Sequence, residues 1–446
     1  MGPCRLLALA LLVAVGCGSG SDSPFGPSQR DSGGQDRPVP VDRGASPASS
    51  PASAAGKPPN ERARRLAGGS NAFGLEILGQ LRTTAGNLAV SPASLSLGLL
   101  LPWGGARGET ETAFRRVLHL EGSPSELLPA WGALARWLQD PARPLTLHVA
   151  HRLFGEKSYT FEPAYLEATR AALGASLEPV DFREAPEDAR SGINAYVEER
   201  TERRIRDLVP PGGVSRETRL VLVNAFYFLG NWRQPFEAEA TRPAPFHARP
   251  GQSRDVPTMH QTGSFPFVAK GGLKALELAY EGGSAALLLV LPEALEGLPA
   301  VEESLDGSAL EGIVSALAPT RVAVALPRFE IEPSDSLRLG EVLKRMGLAV
   351  AFDRGSADFS GIADPPDPAD RLVLDEVFHK AFVRVDEAGT EAAAATGTTM
   401  LRAASAPAPP EAEFRADHPF LFFVRDVASG LVLFAGRVAD PAPPGA

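Results

Sequence analysis

Cysteine is almost absent from this chain of 446 residues, and both cysteines, Cys4 and Cys17, lie close to its start. The long remainder of the sequence therefore contains no disulfide and no metal site built from thiolates. Its fold must be stabilised by the burial of apolar surface. A hydrophobic content of 44 % is sufficient for a large core.

Basic residues are also fewer than acidic residues in this chain. The chain has 44 lysines and arginines against 54 acidic residues, which gives a formal net charge of -10. Nucleic acids and anionic membrane surfaces favour a clustered basic patch, and nothing in this acidic composition favours either partner. We therefore expect no nucleic-acid partner.

The common signatures of hydrolytic and phosphoryl-transfer enzymes are missing as well. The sequence has no Gly-x-Ser-x-Gly elbow, no His-Glu-x-x-His, no Ser-x-x-Lys and no Walker loop. Isolated histidines such as His148 and His247 are more typical of surface or core positions than of catalysts. The sequence predicts a protein that is not an enzyme, with no metal site and no cofactor.

The first residues have the pattern of an export signal. An apolar stretch over residues 6–15 follows Arg5 and is too short to span a bilayer. Residues 14–17 (AVGC) resemble the lipobox of bacterial lipoproteins, although Ala14 stands where leucine is more common. We expect a signal peptide over 1–16 and a lipid anchor on Cys17, which would place the protein at the outer membrane or cell surface of a bacterium. The alternative is an ordinary secretory signal and a secreted protein.

The rest of the chain divides at about residue 65. Residues 17–64 are rich in Ser, Pro, Gly and Asp and have almost no large apolar side chain, which is typical of a disordered tether. Periodic segments then continue to the end without a second linker, so 65–446 is interpreted as one domain. Its helical and strand patterns are mixed without regular alternation, which favours an α+β fold.

An amphipathic helix is predicted before the prolines at 210 and 211. The residues on its buried side are spaced three or four apart: Ile193, Tyr196, Val197, Thr201, Ile205 and Leu208. Apolar runs predict buried strands at 220–228 and 285–291. Asn224 lies inside the first run, and its amide needs hydrogen-bond partners because an unpaired buried polar group costs about 1–3 kcal/mol. Residues 378–385 alternate, with His379 on the inward side, and 419–438 is interpreted as a hairpin.

The segment after this alternating strand has small side chains and no proline between residues 387 and 406, and is interpreted as an exposed loop. Residues 387–396 (EAGTEAAAAT) resemble the hinge of inhibitory serpins. The hinge residues are Glu387, Gly389, Thr390, Glu391, Ala392, Ala393, Ala394, Ala395 and Thr396.

Other segments match the same family in order along the chain. They are residues 87–94 (NLAVSPAS), 105–110 (GARGET), 218–232 (TRLVLVNAFYFLGNW), 256–259 (VPTM), 326–329 (LPRF), 357–361 (ADFSG), 418–422 (HPFLF) and 434–438 (FAGRV). On this basis the chain is identified as a member of the serpin family.

The resemblance implies a single α+β domain with about nine helices and three β-sheets and a reactive-centre loop at about 387–413. It also implies a hydrogen-bonded cluster beneath the main sheet, which we call the shutter: Ser91, Ser94, Asn224 and His379. The loop would enter the sheet at a second cluster, the breach, formed by Trp232 and an ion pair between Arg328 and Glu387. His151 departs from the family, which usually has asparagine there.

The resemblance further implies an irreversible suicide-substrate inhibitor of serine proteases, in which the cleaved loop inserts into the main sheet. Strand geometry would turn Thr390, Ala392, Ala394, Thr396, Thr398 and Met400 inward, and all are small or apolar. With no proline, every backbone donor is present for pairing. The alternative is a non-inhibitory serpin that acts as a binding protein or chaperone. We expect a monomer.

The family's usual spacing from the hinge glycine places the reactive bond between Ala403 and Ala404. An alanine there would suit elastase-like or subtilisin-like proteases. A loop one residue shorter would instead offer the Arg402–Ala403 bond to trypsin-like proteases. The prolines at 407, 409 and 410 leave both registers open.

Overall fold

A computed structural model describes residues 9–15, 59–390 and 409–441, and gives only the backbone of residues 9–15, 148–151, 224, 225 and 227. The described ranges contain nine α-helices: α1 Glu61–Gln80, α2 Pro92–Gly105, α3 Gly108–Val117, α4 Pro124–Leu138, α5 Pro163–Leu173, α6 Pro186–Arg200, α7 Leu298–Ser304, α8 Gly307–Ala316 and α9 Gly340–Leu343. None of these helices is both long and apolar enough to cross a membrane.

The strands of the described ranges are β1 Leu9–Val15, β2 Leu88–Val90, β3 Thr146–Glu156, β4 Ser176–Val180, β5 Leu220–Asn231, β6 Arg242–Arg249, β7 Gln252–Lys270, β8 Leu273–Ala279, β9 Ala285–Pro292, β10 Ala318–Pro327, β11 Phe329–Ile331, β12 Leu337–Arg338, β13 Val377–Ala381, β14 Val383–Val385, β15 Gly389–Thr390, β16 Ala412–Arg415, β17 Phe420–Asp426 and β18 Val432–Val438. The expected strands at 220–228 and 285–291 and the expected hairpin occur, and the α+β class is confirmed. The strand expected at 378–385 is divided at Phe382 into β13 and β14, which have different partners.

The main sheet is built around β5. Strands β3 and β4 lie on one side of β5, and on the other side the order is β5-β1-β13-β12, with β15, β14 and β11 following from the upper end of β5. Residues 220–223 of β5 have no exposed surface. A strand buried on both faces has a continuous apolar sequence, which explains the run that predicted it.

Strand β7 connects the remaining strands. Its 19 residues pair with β6, with β10 over Thr258–Phe267 and with β8 over Phe267–Lys270. Strands β9, β17, β18 and β2 then follow β8. Because one long strand belongs to both groups, the strands expected as two further sheets are hydrogen-bonded into one network.

Helix α2 packs behind the main sheet and carries part of the shutter. Its apolar side chains from Leu95 to Leu101 are fully buried, as expected for a helix that is hydrophobic on all sides. The Ser91 hydroxyl caps the helix by accepting a hydrogen bond from the Ser94 N–H at 3.1 Å. The cap fixes where the helix begins relative to the sheet.

Helix α6 ends earlier than its apolar pattern predicts. It stops at Arg200, well before the prolines at 210 and 211, because Glu202 and Arg203 adopt left-handed backbone angles with φ of 45° and 64°. A helix cannot continue through that conformation. Ile205 and Leu208 are nevertheless completely buried, so the apolar spacing correctly identified the buried side and not the helix end.

The N-terminal apolar stretch contributes a strand. Residues 9–15 form β1, which pairs antiparallel with both β5 and β13. Helix α1 begins at Glu61, so the end of the segment interpreted as a tether is helical, and Asn60 caps the helix by accepting a hydrogen bond from the Ala63 N–H. Signal cleavage, and lipidation at Cys17, which lies outside the described residues, stay predictions.

Candidate functional site

The hinge begins with a tight turn between β14 and β15. The Asp386 N–H donates to the Gly389 carbonyl oxygen at 3.0 Å, and the Ala388 N–H donates to Asp386 Oδ1 at 3.0 Å. Gly389 and Thr390 then pair antiparallel with Asn231 and Gly230 of β5, while Thr390 also pairs with Val385 of β14. The two residues of β15 are thus already part of the sheet.

Close backbone approach explains why glycine occupies position 389. Its φ is +159°, and a Cβ atom there would fall 2.8 Å from Asn231 Cα. Real Cβ atoms do not come so close to backbone, so a larger residue would force β15 away from β5. Glycine is the residue that permits such an approach.

Thr390 is the innermost described residue of the hinge. Its side chain has no exposed surface, and its hydroxyl forms a 2.5 Å hydrogen bond with the hydroxyl of Tyr280. The Tyr280 ring stacks on Trp232 with 4.6 Å between centroids, and the Trp232 indole N–H donates to the Asp386 carbonyl oxygen at 2.9 Å. The two aromatic residues therefore hold both ends of the turn.

Arg328 and Glu387 form an ion pair at the outer edge of the turn. Arg328 Nη2 lies 2.5 Å from Glu387 Oε1, and the Thr241 hydroxyl donates to the same oxygen. Partial burial acts to raise the pKa of the Glu387 carboxyl, but the hydrogen bonds from Arg328 and Thr241 outweigh it and hold the pKa below its usual value. The Glu387 carboxylate is therefore charged at neutral pH.

The neighbouring Asp386 carboxyl is shifted in the opposite direction. Burial raises its pKa, against the hydrogen bond from the Ala388 N–H and the charge of Arg384, whose Nε lies 3.6 Å from Asp386 Oδ2. Two adjacent carboxyl groups thus have different roles. Glu387 pairs with a cation, and Asp386 closes the turn.

The shutter lies lower in the same sheet. His379 of β13 is fully buried, and its Nε2 accepts a hydrogen bond from the Ser91 N–H at 3.1 Å. Burial lowers the pKa of His379 to about 3, so the imidazole is neutral at neutral pH. Because Nε2 accepts, the neutral ring carries its proton on Nδ1.

Strand register places the other shutter position. Asn224 and His379 both lie opposite Leu11 of β1, one on each side, and His151 of β3 lies opposite Asn224. The side chains of Asn224 and His151 are outside the described part of the structure. The structure therefore joins Ser91, Ser94 and His379 by hydrogen bonds and places Asn224 by its backbone.

Several predicted site residues lie outside the described ranges. They are Glu391, Ala392, Ala393, Ala394, Ala395 and Thr396 of the hinge and Arg402, Ala403 and Ala404 of the reactive bond. The distal end of the loop is described again at β16, which pairs in parallel with β10 from Val322 and Ala412 onward.

Sequence reasoning missed Tyr280 and Thr241. Tyr280 directly follows the apolar strand β8, and no spacing distinguishes it from a core tyrosine such as Tyr165. Thr241 lies between Ala240 and β6 with no motif around it. Both residues contact the hinge only because the tertiary fold brings them there. Within the described ranges, no group of three or more His, Cys, Asp or Glu side chains could hold a metal ion.

Comparison with known proteins agrees with this geometry. The model of the serpin family, described as serine protease inhibitor, matches residues 68–441. The chain is 41 % identical over 365 residues to a leukocyte elastase inhibitor of Bos taurus, covering 80 % of this chain and 94 % of the relative.

Solved structures give the same result. Uncleaved ovalbumin superposes with a TM-score of 0.74 at 28 % identity, covering 84 % of this chain and 100 % of ovalbumin. Thyroxine-binding globulin in complex with thyroxine superposes with a TM-score of 0.73 at 25 % identity, covering 85 % of this chain and 100 % of the globulin. The family match spans most of the chain and the folds coincide, so this chain belongs to the serpin family.

Proposed function

We propose that this protein is an irreversible suicide-substrate inhibitor of serine proteases. The observation that carries the proposal is the pairing of Gly389 and Thr390 with β5 and β14, because a strand begun at these two residues can be extended by the residues that follow. The similarity to a relative named leukocyte elastase inhibitor supports the same activity.

In the proposed reaction the seryl oxygen of the protease attacks the carbonyl carbon of Ala403. The Ala403–Ala404 amide bond breaks, the Ala404 nitrogen leaves as an amine with the transferred proton, and Ala403 stays bound to the protease as an ester. The freed hinge then continues β15 down the edge of β5. Addition of a strand to an open sheet edge is a recognised mode of binding, and serpin loop insertion is a named example of it.

The hinge composition suits this insertion. Its inward positions after Thr390 are Ala392, Ala394 and Thr396, which fit beneath a sheet without leaving a buried charge. Strand β1 occupies the position beside β5 over residues 220–226 in the full chain. Removal of residues 1–16 by signal cleavage, as we propose, would leave that position open to the loop.

A protease panel tests the proposal. The protein, produced with its own leader so that export can process it, is incubated with an elastase, a subtilisin and a trypsin and analysed on a denaturing gel. We expect a gel-stable complex with at least one protease, most readily the elastase or subtilisin. The same proteases inactivated at the active-site serine are the control and should give none. Loop cleavage by all three without any complex would contradict the proposal.

The second candidate function is a binding protein of the non-inhibitory type. The observation in its favour is the superposition on thyroxine-binding globulin, a serpin-fold protein solved with a small molecule bound. The same protease panel distinguishes the two functions. A binding protein of this type would be either cleaved or left uncleaved by the proteases, and it would form no covalent complex with them.

We further propose that the protein is exported and anchored by lipid at Cys17, on the surface or outer membrane of a bacterium. The support is the short apolar segment that ends at Val15, just before Gly16 and Cys17, and the Ser-, Pro- and Gly-rich segment that follows it. Metabolic labelling with a fatty acid should mark the wild type and leave Cys17→Ser unlabelled. Equal labelling of the two would contradict the anchor, and unlabelled protein in the medium would favour secretion.

A further inference from the structure

We propose that the Tyr280 hydroxyl is a positioning group for the hinge, which holds Thr390 inside the main sheet before any protease is bound. The inference rests on the proposed inhibitory function and adds to it a resting state in which the first step of insertion is already complete. It makes Tyr280 a determinant of how fast the loop inserts.

The Tyr280 ring is fixed in place by its surroundings. It is fully buried, stacks on Trp232 at 12° between ring planes, and meets Phe228 edge-on at 5.1 Å. Its own backbone N–H donates to the Ala285 carbonyl oxygen at 3.0 Å, which ties it to β9. A ring held on several sides presents its hydroxyl at one point, and Thr390 occupies that point.

Each hydroxyl of the pair is buried and each is satisfied by the other. Release of Thr390 to solvent would leave the Tyr280 hydroxyl beneath the sheet without this partner, and an unpaired buried hydroxyl is unfavourable. The hydrogen bond therefore favours the inserted position of Thr390. Burial also raises the pKa of Tyr280 far above its usual value, so the phenol keeps its proton and the contact should not vary with pH near neutrality.

The backbone of the hinge reinforces this contact. Gly389 and Thr390 pair with Asn231 and Gly230, and the Trp232 N–H donates to the Ala388 carbonyl oxygen at 2.9 Å. These bonds lie at Thr390 and at the two residues before it. Loss of the hydroxyl contact should therefore loosen a short unit that includes residues 388–390 and the upper end of β5.

The test is hydrogen exchange on the protein alone, followed through peptides that contain Gly389–Thr390 and Gly230–Trp232. Tyr280→Phe removes the hydroxyl and keeps the ring, and Thr390→Val removes the partner hydroxyl at nearly constant volume. We expect each to speed exchange of these amides by about fivefold to tenfold, the effect of losing one buried hydrogen bond. Thr390→Ser keeps the hydroxyl and should stay near the wild type.

Tyr165→Phe is the matched control. Tyr165 is also buried, and its hydroxyl donates to the Leu101 carbonyl oxygen at 3.1 Å, in contact with α2 and not with the hinge. Tyr165→Phe should lower the melting temperature without changing hydrogen exchange at the hinge. The double variant Tyr280→Phe/Thr390→Val should be no faster than either single variant, because both remove the same bond.

Protease titration then separates the two proposals. If the wild type traps protease, Tyr280→Phe should raise the stoichiometry of inhibition several-fold over Tyr165→Phe, and an unchanged stoichiometry would overturn the positioning role in insertion. If the wild type traps no protease while Tyr280→Phe still speeds hinge exchange, the inhibitory function fails and the resting contact stands. Hinge exchange equal in Tyr280→Phe and Tyr165→Phe would overturn the inference in either case.

Discussion

Gly389 of β15 lies so close to Gly230 of β5 that a Cβ atom on Gly389 would fall 2.1 Å from the Gly230 carbonyl oxygen. A Cβ atom on Gly230 would in turn come within 2.8 Å of the Tyr280 ring. At the point where the hinge enters the main sheet, Gly389 thus packs against Gly230, and Gly230 packs against the Tyr280 ring. Any added atom in this stack acts directly on the position of the hinge.

Gly389→Ala should therefore move the hinge out of the sheet. We expect the variant to be cleaved at the same bond and to show a raised stoichiometry of inhibition, because its first inserted residue clashes with β5. The control is Gly68→Ala in α1, where nothing lies within 4 Å of the added methyl group. That change should stabilise the protein by up to about 1 kcal/mol and leave inhibition unchanged. Normal inhibition by Gly389→Ala would contradict the close approach.

Thr390→Arg should turn the inhibitor into a substrate. Position 390 has no exposed surface, and a buried unpaired charge costs several kcal/mol, while about 1.4 kcal/mol already slows a step tenfold. The acyl-enzyme would then hydrolyse before insertion is complete. Glu391→Arg is the control, because the alternation of side chains along a strand predicts that residue 391 faces outward. Titration against the best protease should show trapping by Glu391→Arg and cleavage without trapping by Thr390→Arg, and efficient trapping by both would refute insertion.

Acid should destabilise the protein through His379. The pKa of His379 is lowered from 6.5 to about 3, so below pH 6.5 the unfolded chain binds a proton that the folded chain does not. Stability is fully present above that value and is lost as the pH falls toward 3, by about 1.4 kcal/mol per pH unit for this one group. Urea unfolding over this range should show a shallower pH dependence for His379→Gln than for the wild type. Parallel curves would mean that His379 does not titrate this way.

Cleavage of the loop should raise the melting temperature. A hinge that can extend β15 along β5 adds a strand to the main sheet, and several kcal/mol of added stability corresponds to a shift of about 5 °C for a domain of this size. Calorimetry of intact and loop-cleaved protein, both lacking the leader, measures this difference. Equal melting temperatures would favour the binding-protein alternative.

The reactive bond should lie between residues 401 and 406, most readily after Ala403 and second after Arg402. Mass spectrometry of the released C-terminal fragment identifies it. Arg402→Ala should abolish cleavage by trypsin and leave cleavage by elastase intact if Ala403 is the site. A fragment that begins outside this window would show that the family's spacing does not apply to this loop.

Local patterns in the sequence determined much of this protein. Apolar runs identified β5 and β9, alternation placed His379 inward in β13, and the proline-free stretch of small residues predicted an exposed loop that only the family resemblance identified as the hinge. These features are readable because each follows from the period of a strand or from the bulk of neighbouring side chains. The Arg328–Glu387 pair came from the family resemblance, since nothing local connects the two residues.

Tertiary structure decided what lies between distant segments. Tyr280 and Thr390 are 110 positions apart in the chain, and their hydroxyls meet because Tyr280, just after β8, forms a backbone bridge with Trp232, just after β5. The end of α6 at Arg200 depends on left-handed backbone at two residues whose types do not require it. Spacing along the chain specifies which side chains are buried together on one face of a helix or strand. Contacts between different elements depend on how the sheet and its loops pack. The position of the hinge is set by contacts of this second kind.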